Sequence, residues 1–466
     1  MKSKGHPGLI LALALGAIAA QNLQAGERSN IQGVGMARTH VAVSHGIDAI
    51  GSNPANLAAP DDATVTIGLL PLGVHVGNNV FSYDLYRKYF EGIQTDSGKV
   101  GVNLSDADKR DILERFSDGV GEGVFDLEAR EFGIAVNVLP IGAFAFTMTE
   151  RLSGSVTVPR EYVEFLFYGN PPNSSYDFGK SGASAAWTRE YALSYARVLP
   201  PVPFLQSWRA GISLKLVHGL SYVGVDHFNA RIVTSPVGVL DGSLDILTRR
   251  AGLDPTSEDF GSTFTPFPEP AGVGYGLDLG VTGELNELIR AGLSITDIGS
   301  IDWQRNLVDN VAGGTIHLDN ALDAAQRDSL NRALKGQEQE GRPFSTPLPT
   351  TLRFGVAVEL HKLPFFKQAQ IGELTVAADY HQGLVEAPGG TTVPRASFGL
   401  EYRPWRFLPI RSGIAFWGQD GTSVAFGLGF HFGVFELDFA TENLAWAVTP
   451  SSAEHGSVAM GMRIRL

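Results

Sequence analysis

The chain has 466 residues, no Cys, 55 Gly, 10% aromatic residues and a formal charge of −13. Without Cys it can form no disulfide, no thiolate metal centre, no Cys nucleophile and no lipid-modified cysteine. The acidic balance argues against nucleic acid as a partner, because neutralising phosphates takes an excess of Lys and Arg.

Lys2 and Lys4 precede an unbroken apolar run from Leu9 to Ala20. Basic start and short greasy core are the pattern of an export signal. Residues 1–25 are therefore read as a signal peptide ending at Ala25, with Ala19 or Ala20 as alternative last residues. The run is too short to span a bilayer comfortably, and no later stretch reaches the roughly 20 apolar residues that a membrane helix needs. Losing Lys2 and Lys4 takes the charge from −13 to −15.

Residues 26–62 do not alternate like a strand. Gly33-Val34-Gly35-Met36-Ala37-Arg38-Thr39 leads to Asp48-Ala49-Ile50-Gly51-Ser52-Asn53-Pro54-Ala55-Asn56-Leu57. Pro54 forces a boundary, and the Asn53 side chain can bond nearby backbone in a turn.

From residue 63 to 466 the dominant signal is period-two alternation. Val424, Phe426, Leu428, Phe430 and Phe432 share one face, and Ala425, Gly427, Gly429, His431 and Gly433 the other. Val458, Met460, Met462, Ile464 and Leu466 alternate in the same way with Ala459, Gly461, Arg463 and Arg465. A bulky greasy face backed by a small or polar one suits a barrel wall between lipid and a wet interior. Strands are expected at 63–77, 126–139, 141–154, 186–199, 208–222, 273–285, 289–299, 350–361, 372–383, 395–405, 409–418, 422–433, 434–444 and 457–466. The expected fold is all-β: a transmembrane antiparallel β-barrel of about 14 strands, with short loop helices. The even count puts both termini on one side. Connections after even strands are short, whereas 78–125, 155–185, 223–272 and 300–349 are long. That asymmetry is the one between periplasmic turns and extracellular loops.

Ser105 and Asp108 read as a capping box for a loop helix carrying Ile112, Leu113 and Phe116. Asp319 is a candidate cap for a second, with Leu322, Leu330 and Leu334. Trp187, Trp208, Trp405, Trp417 and Trp446 fall near strand ends, where headgroups meet an aromatic girdle. Trp303 falls in a loop and has no such role.

Inward charges are the candidate site residues. Glu436 and Asp438 precede Arg463 and Arg465 by one hairpin, so Glu436 is expected opposite Arg465 and Asp438 opposite Arg463. Such a ladder would stabilise the wall, anchor the N-terminal segment or steer a ligand. Arg353, Glu359, Asp379 and His431 are further lumen candidates. No Walker loop, His-Glu-x-x-His or nucleophile elbow is present, and the histidines are scattered. No catalytic residue, metal or cofactor is expected, and the chain is not read as an enzyme.

The segment containing Gly35, Asp48, Asn53, Pro54 and Ala55 resembles the N-terminal hatch of the long-chain fatty-acid transporter (FadL-like) family. It is also similar to uncharacterised bacterial outer-membrane barrels that share Asp-Ala-Ile-Gly-x-Asn-Pro-Ala-Asn-Leu. Ser294-Ile295-Thr296-Asp297-Ile298-Gly299-Ser300 resembles a strand-end motif of those barrels. The resemblance implies a fourteen-strand barrel in the bacterial outer membrane, with residues 26–62 as a lumenal plug. It also implies uptake of hydrophobic small molecules with lateral exit through the wall. The chain departs from the usual aromatic terminus by ending in Leu466. Three functions stand open: a barrel that binds or moves hydrophobic or amphipathic small molecules, a surface or assembly protein acting through its long loops, and an aqueous porin. Outer-membrane lipid is the expected surrounding, and a monomer is favoured.

Overall fold

A computed structural model describes residues 27–466 except 61–62, 96–97, 102, 117, 139, 254–264, 320–323, 370–371 and 419–420. The expected signal at 1–25 lies outside the described residues. Alternation sets up the wall, which has fourteen strands. They are β1 (Val65–Asn78), β2 (Val120–Val138), β3 (Gly142–Pro159), β4 (Gly182–Val198), β5 (Ser207–Thr234), β6 (Gly272–Glu284) and β7 (Ile289–Trp303). The rest are β8 (Thr351–Glu359), β9 (Glu373–Gly383), β10 (Arg395–Arg403), β11 (Ile410–Trp417), β12 (Ser423–Phe432), β13 (Phe435–Thr441) and β14 (His455–Arg465). Each pairs antiparallel with the next, and β14 returns to β1, with Thr66 opposite Arg465 and Gly77 opposite His455. Closure leaves the ring no raw edge, which is the condition for a sheet to sit in hydrocarbon. Leu466 completes it despite not being aromatic: its N–H donates to Val65 O at 2.8 Å, and its own carbonyl accepts from Thr64 and Val65.

The two faces of the wall sort by size. Leu193, Tyr275, Phe398, Phe426 and Met460 are exposed on the outside, whereas their neighbours Ala192, Gly274, Gly399, Ala425 and Ala459 are buried inside. Large apolar groups pointing away from the centre identify lipid as the solvent. The chain is an outer-membrane β-barrel.

Five strands run well beyond the expected ends, β7 to Trp303 among them. β2 begins at Val120 and β4 at Gly182, β3 continues to Pro159, and β5 continues to Thr234. The greasy alternation fades where a strand leaves lipid, but hydrogen bonding continues. The upper part of β5 pairs with Leu240–Gly252, which pairs with Val308–Leu318, which pairs with Gln337–Glu340. This sheet stands above the membrane on the long-loop side. Trp303 is not in a loop. It ends β7, is fully buried, stacks near Phe344 and donates from Nε1 to Thr346 Oγ1 at 2.9 Å.

Helix α1 (Ile31–Gly35) lies in the N-terminal segment, and α2 (Tyr83–Tyr89), α3 (Asp106–Glu114) and α4 (Arg160–Tyr168) lie above the barrel mouth. α3 starts on the Ser105–Asp108 capping box, and Ile112, Leu113 and Phe116 are buried against Val80, Tyr89 and Val163. α5 (Ala324–Lys335) begins beyond Asp319, and its Leu334 is exposed; Leu322 lies outside the described residues.

The small inward face borders chain rather than water. From Glu27 to Leu57 only His45 and Gly46 are not buried. Lumen glycines of the wall touch this segment backbone to backbone. A Cβ on Gly413 would lie 2.5 Å from Met36 C, one on Gly292 2.7 Å from Val41 O, and one on Gly427 3.0 Å from Gly35 Cα. Only Gly fits such approaches. Gly413→Val is therefore expected to destabilise the barrel or its plug by about 1–3 kcal/mol through overpacking. Gly182→Ala, whose Cβ meets nothing closer than 3.9 Å, is the silent control. Heat-dependent migration of the folded barrel in gels reads both.

Candidate functional site

The buried segment follows from its residues. Asn30 caps α1, its side chain accepting from Gly33 N at 2.8 Å. Asn53 caps the short 3₁₀ turn Pro54–Ala58, accepting from Ala55 N at 3.2 Å, with Pro54 where no N–H is needed. Asn53 Nδ2 also donates to Val41 O at 3.0 Å and to Thr282 Oγ1 of β6 at 2.9 Å. Gly35 faces Gly427 of β12, and Pro54 seats on Gly211 of β5. The Asn-Pro-Ala stretch thus folds the segment on itself and fits it to the wall.

Charges complete the fit. Arg28 reaches Asp126 of β2 and also Glu442, which follows β13. Arg38 Nε donates to Glu442 Oε1 at 2.5 Å, and Arg395 of β10 lies 3.7 Å from the same carboxylate. Asp48 pairs with Arg463 of β14 and lies 3.9 Å from Arg130 of β2. Arg353 of β8 holds Glu27 at 2.6 Å. Asp379 of β9 accepts from the backbone N–H groups of His40 and Val41 at 2.7 and 2.8 Å. Burial pushes the Glu27 carboxyl up to about 7, against the pull of Arg353 and Arg38. Burial, helped by the nearby arginines, holds His40 down at about 3, so the imidazole 2.7 Å from Glu27 is neutral. A neutral imidazole forms no full ion pair with that carboxyl.

The predicted ladder is shifted. Glu436 sits opposite Arg463, and Asp438 opposite Gly461, two residues from the expected register. The contacts form all the same, because Arg is long enough to reach diagonally: Arg465–Glu436 at 2.8 Å and Arg463–Asp438 at 2.5 Å. His431 lies 3.4 Å from Glu436 and 3.3 Å from Asp438. Arginines 411, 463 and 465 already occupy these carboxylates. Glu359 lies apart, in a vestibule on the short-turn side, paired with Arg290 at 2.9 Å.

Alternation did not single out a second cluster. Lys215 Nζ of β5 lies 2.7 Å from Asp297, 2.9 Å from Asp278 and 3.5 Å from Glu190, all buried. Arg151 of β3 lies 3.4 Å from both Glu190 and Glu128. The Ser294–Ser300 motif makes this geometry. It is no strand end but a bulge in mid-β7, where Asp297 takes φ +58° and its N–H donates to Asp278 at 2.8 Å. An isolated lysine among alternating residues in a strand was the available signal.

Beneath the plug, facing the short turns, the vestibule has about 1080 Å³. Gln32, Met36, Val43 and His45 form its roof, and Glu401, Arg403 and Glu436 lie on its walls. The wall itself is interrupted beside the plug. Leu70 has φ +47° and is exposed to the lipid side, and Pro71 follows it. Among the described residues these two pair with neither β14 nor β2. Behind them lies a cavity of about 10 Å³ lined by Ser29, Ile31, Ile47, Asp48, Pro71 and Arg463, about what one water needs.

A closed barrel with a lipid-facing exterior and a lumen occupied by its own N-terminal segment is the class that these features define. Within that class the chain belongs to a family of unknown function, DUF5723, whose model matches residues 54–442. No curated protein matches it. Over most of its length it is similar to the Pseudomonas putida toluene transporter TodX, at 12% identity and TM-score 0.46, covering 95% of this chain and 98% of that one. It is similar also to the Ralstonia pickettii toluene transporter TbuX, at 15% identity and TM-score 0.46, covering 94% and 98%. A Pseudomonas aeruginosa FadL homologue gives 12% identity and TM-score 0.46, covering 96% and 100%.

Lys215→Met leaves the Asp278 carboxylate buried without its cation, and Asp297 and Glu190 with Arg151 alone. The expected loss is about 3–5 kcal/mol of barrel stability, partly recovered by adding Asp297→Asn. Denaturant unfolding in detergent measures it. Equal stability of Lys215→Met and the parent would remove the cluster's structural role.

Proposed function

We propose that this barrel takes up hydrophobic or amphipathic small molecules and releases them sideways into the membrane at Leu70–Pro71. One observation carries the reading: the bore is filled by residues 27–59, while the wall beside that plug is unpaired at Leu70–Pro71 with a small cavity behind it. The straight route to the periplasm crosses the charged vestibule, where a greasy molecule loses more than it gains. The sideways route ends in hydrocarbon. A filled bore counts against the porin reading, which needs an open one. The sheet above the membrane, made from β5 and strands at 240–252, 308–318 and 337–340, favours a second reading as a surface or assembly protein. Under that reading, trimming the sheet to short turns abolishes attachment or assembly and leaves uptake unchanged.

Cells carrying the chain in their outer membrane are expected to accumulate radiolabelled toluene or decanoate several-fold faster than cells without it. Leu72 and Met460 are cross-strand partners next to the interruption. Leu72→Cys with Met460→Cys, oxidised, should close the seam and lower uptake, and reduction should restore it. Uptake at the background rate would defeat the transport reading. Uptake indifferent to oxidation would defeat only the lateral route.

A further inference from the structure

The plug is not uniform along its length. Ile47, Ala49, Ile50 and Leu57 form one continuous apolar cluster with Ala135 of β2, Ala143 and Ala145 of β3, and Ala192 and Ala196 of β4. Arg130 of β2 donates to the carbonyls of Ile47 and Ile50 at 3.2 and 3.4 Å. Residues 27–43 are held differently. Their apolar contacts are separate small groups, Met36 with Ala357 and Ala377, Ala37 with Ala415 and Ala425, and Val34 with Ala440 and Ala459. Their main ties are polar: Arg28 and Arg38 to Glu442, Ser29 to Glu128, Gln32 to Glu401 at 3.0 Å, and Thr39 to Ser397 at 2.9 Å. Polar ties can be exchanged for water when a segment leaves, whereas a continuous apolar cluster cannot.

Two further features mark the first half. Ala37 and Arg38 are consecutive non-Gly residues in the left-handed region, at φ +55° and +56°, a strained conformation that persists only while surrounding contacts impose it. Gln32, Met36 and Val43 also roof the vestibule, beside Ala58 and Ala59 at the end of the collar, so about 1080 Å³ of space lies beneath this half. The halves meet at Ser44–Gly46, where Gly46 takes φ +54° and where the burial of the segment lapses. Between them run the bonds from Asn53 and Asn56 to Val41 O, at 3.0 and 2.9 Å, and from Asn30 to Asp48 O at 3.0 Å.

We propose that the plug is two devices: Ile47–Ala59 is a fixed collar, and Glu27–Val43 is a latch that swings about Ser44–Gly46 into the periplasmic vestibule, with Glu442 as its catch. The catch is where two arginines of the latch and one of the wall converge, so a single carboxylate grips both arginines of the latch. Swinging the latch uncovers the β8–β14 side of the lumen and leaves the β3–β6 side covered by the collar. The latch goes beyond the uptake reading, and its motion can be read without any cargo.

The chain has no native Cys, so single cysteines report cleanly. Val34→Cys in the latch and Ala49→Cys in the collar, each in the full folded barrel, are exposed to a hydrophilic maleimide. Val34→Cys is expected to react faster than Ala49→Cys. Adding Glu442→Gln should speed labelling at Val34→Cys by about tenfold and leave Ala49→Cys unchanged, since losing charge-assisted hydrogen bonds lowers the free energy of closure. Arg38→Gln loosens the same contact from the latch side and serves if Glu442→Gln fails to assemble, as judged by heat-dependent gel migration. Thr39→Cys with Ser397→Cys, oxidised, should suppress the ion conductance that Glu442→Gln produces in planar bilayers. Equal acceleration at both labelling sites, or none at Val34→Cys with either variant, overturns the proposal.

Discussion

Everything in this molecule is constrained by a hole that side chains cannot fill. A ring of about eight strands can close its centre with its own residues, but one of fourteen leaves a bore. That bore lies inside a membrane, where unpaired polar groups are expensive. The chain answers by returning its N-terminal segment into the lumen and matching it to the wall group by group. Gly292, Gly413 and Gly427 give the segment room to touch backbone. Arg353, Asp379, Arg463 and Glu442 meet charges or N–H groups that it carries. Breaking this match is costly: removing one partner of a buried pair typically costs about 3–5 kcal/mol. The wall and its plug are one folding problem.

That coupling explains what could be read in the amino-acid sequence and what could not. Alternation is local, so all fourteen strands were legible, and the contrast of short and long connections gave their direction. The register of the last hairpin was not. A slip of two residues leaves every side chain on its own face, so Glu436 opposite Arg463 and Glu436 opposite Arg465 look alike in the pattern. Only the ladder itself distinguishes them. Arg28 and Glu442 are 414 positions apart, beyond the reach of any periodicity. The plug was legible only through resemblance in its Gly-rich and Asn-Pro-Ala stretches, and its partners not at all. Trp303 was opaque for a related reason: Tyr222, which packs on it, belongs to β5, and Thr346, which takes its N–H, lies 43 positions further along the chain.

Glycine carries two meanings in this chain, and the pattern alone does not separate them. An inward row of Gly and Ala suits a smooth, wet bore as well as it suits a dry seat for another backbone. The distinction lies in what else faces inward. A porin lumen sets its charges toward water, whereas here Lys215, Arg151, Arg411 and Arg463 are each surrounded by carboxylates at hydrogen-bond range. Charges so completely paired leave no fixed field for a permeating ion to follow, and they set the plug's position instead.

On the proposed uptake, the same pairing bears on how a greasy molecule would leave. At plug level the interior is walled by ion pairs, and below it the vestibule is ringed by Glu401, Arg403 and Glu436. An apolar solute moving straight down would separate those charges from their partners or from water, with nothing to replace what is lost. Moving sideways at Leu70–Pro71 it breaks no β1 ladder bond, because those residues pair with neither β14 nor β2, and Pro71 has no N–H to leave unsatisfied. A polar solute faces the reverse balance, since the seam leads to hydrocarbon. The position of the weak point in the wall, rather than the shape of a pocket, would then sort the two kinds of molecule.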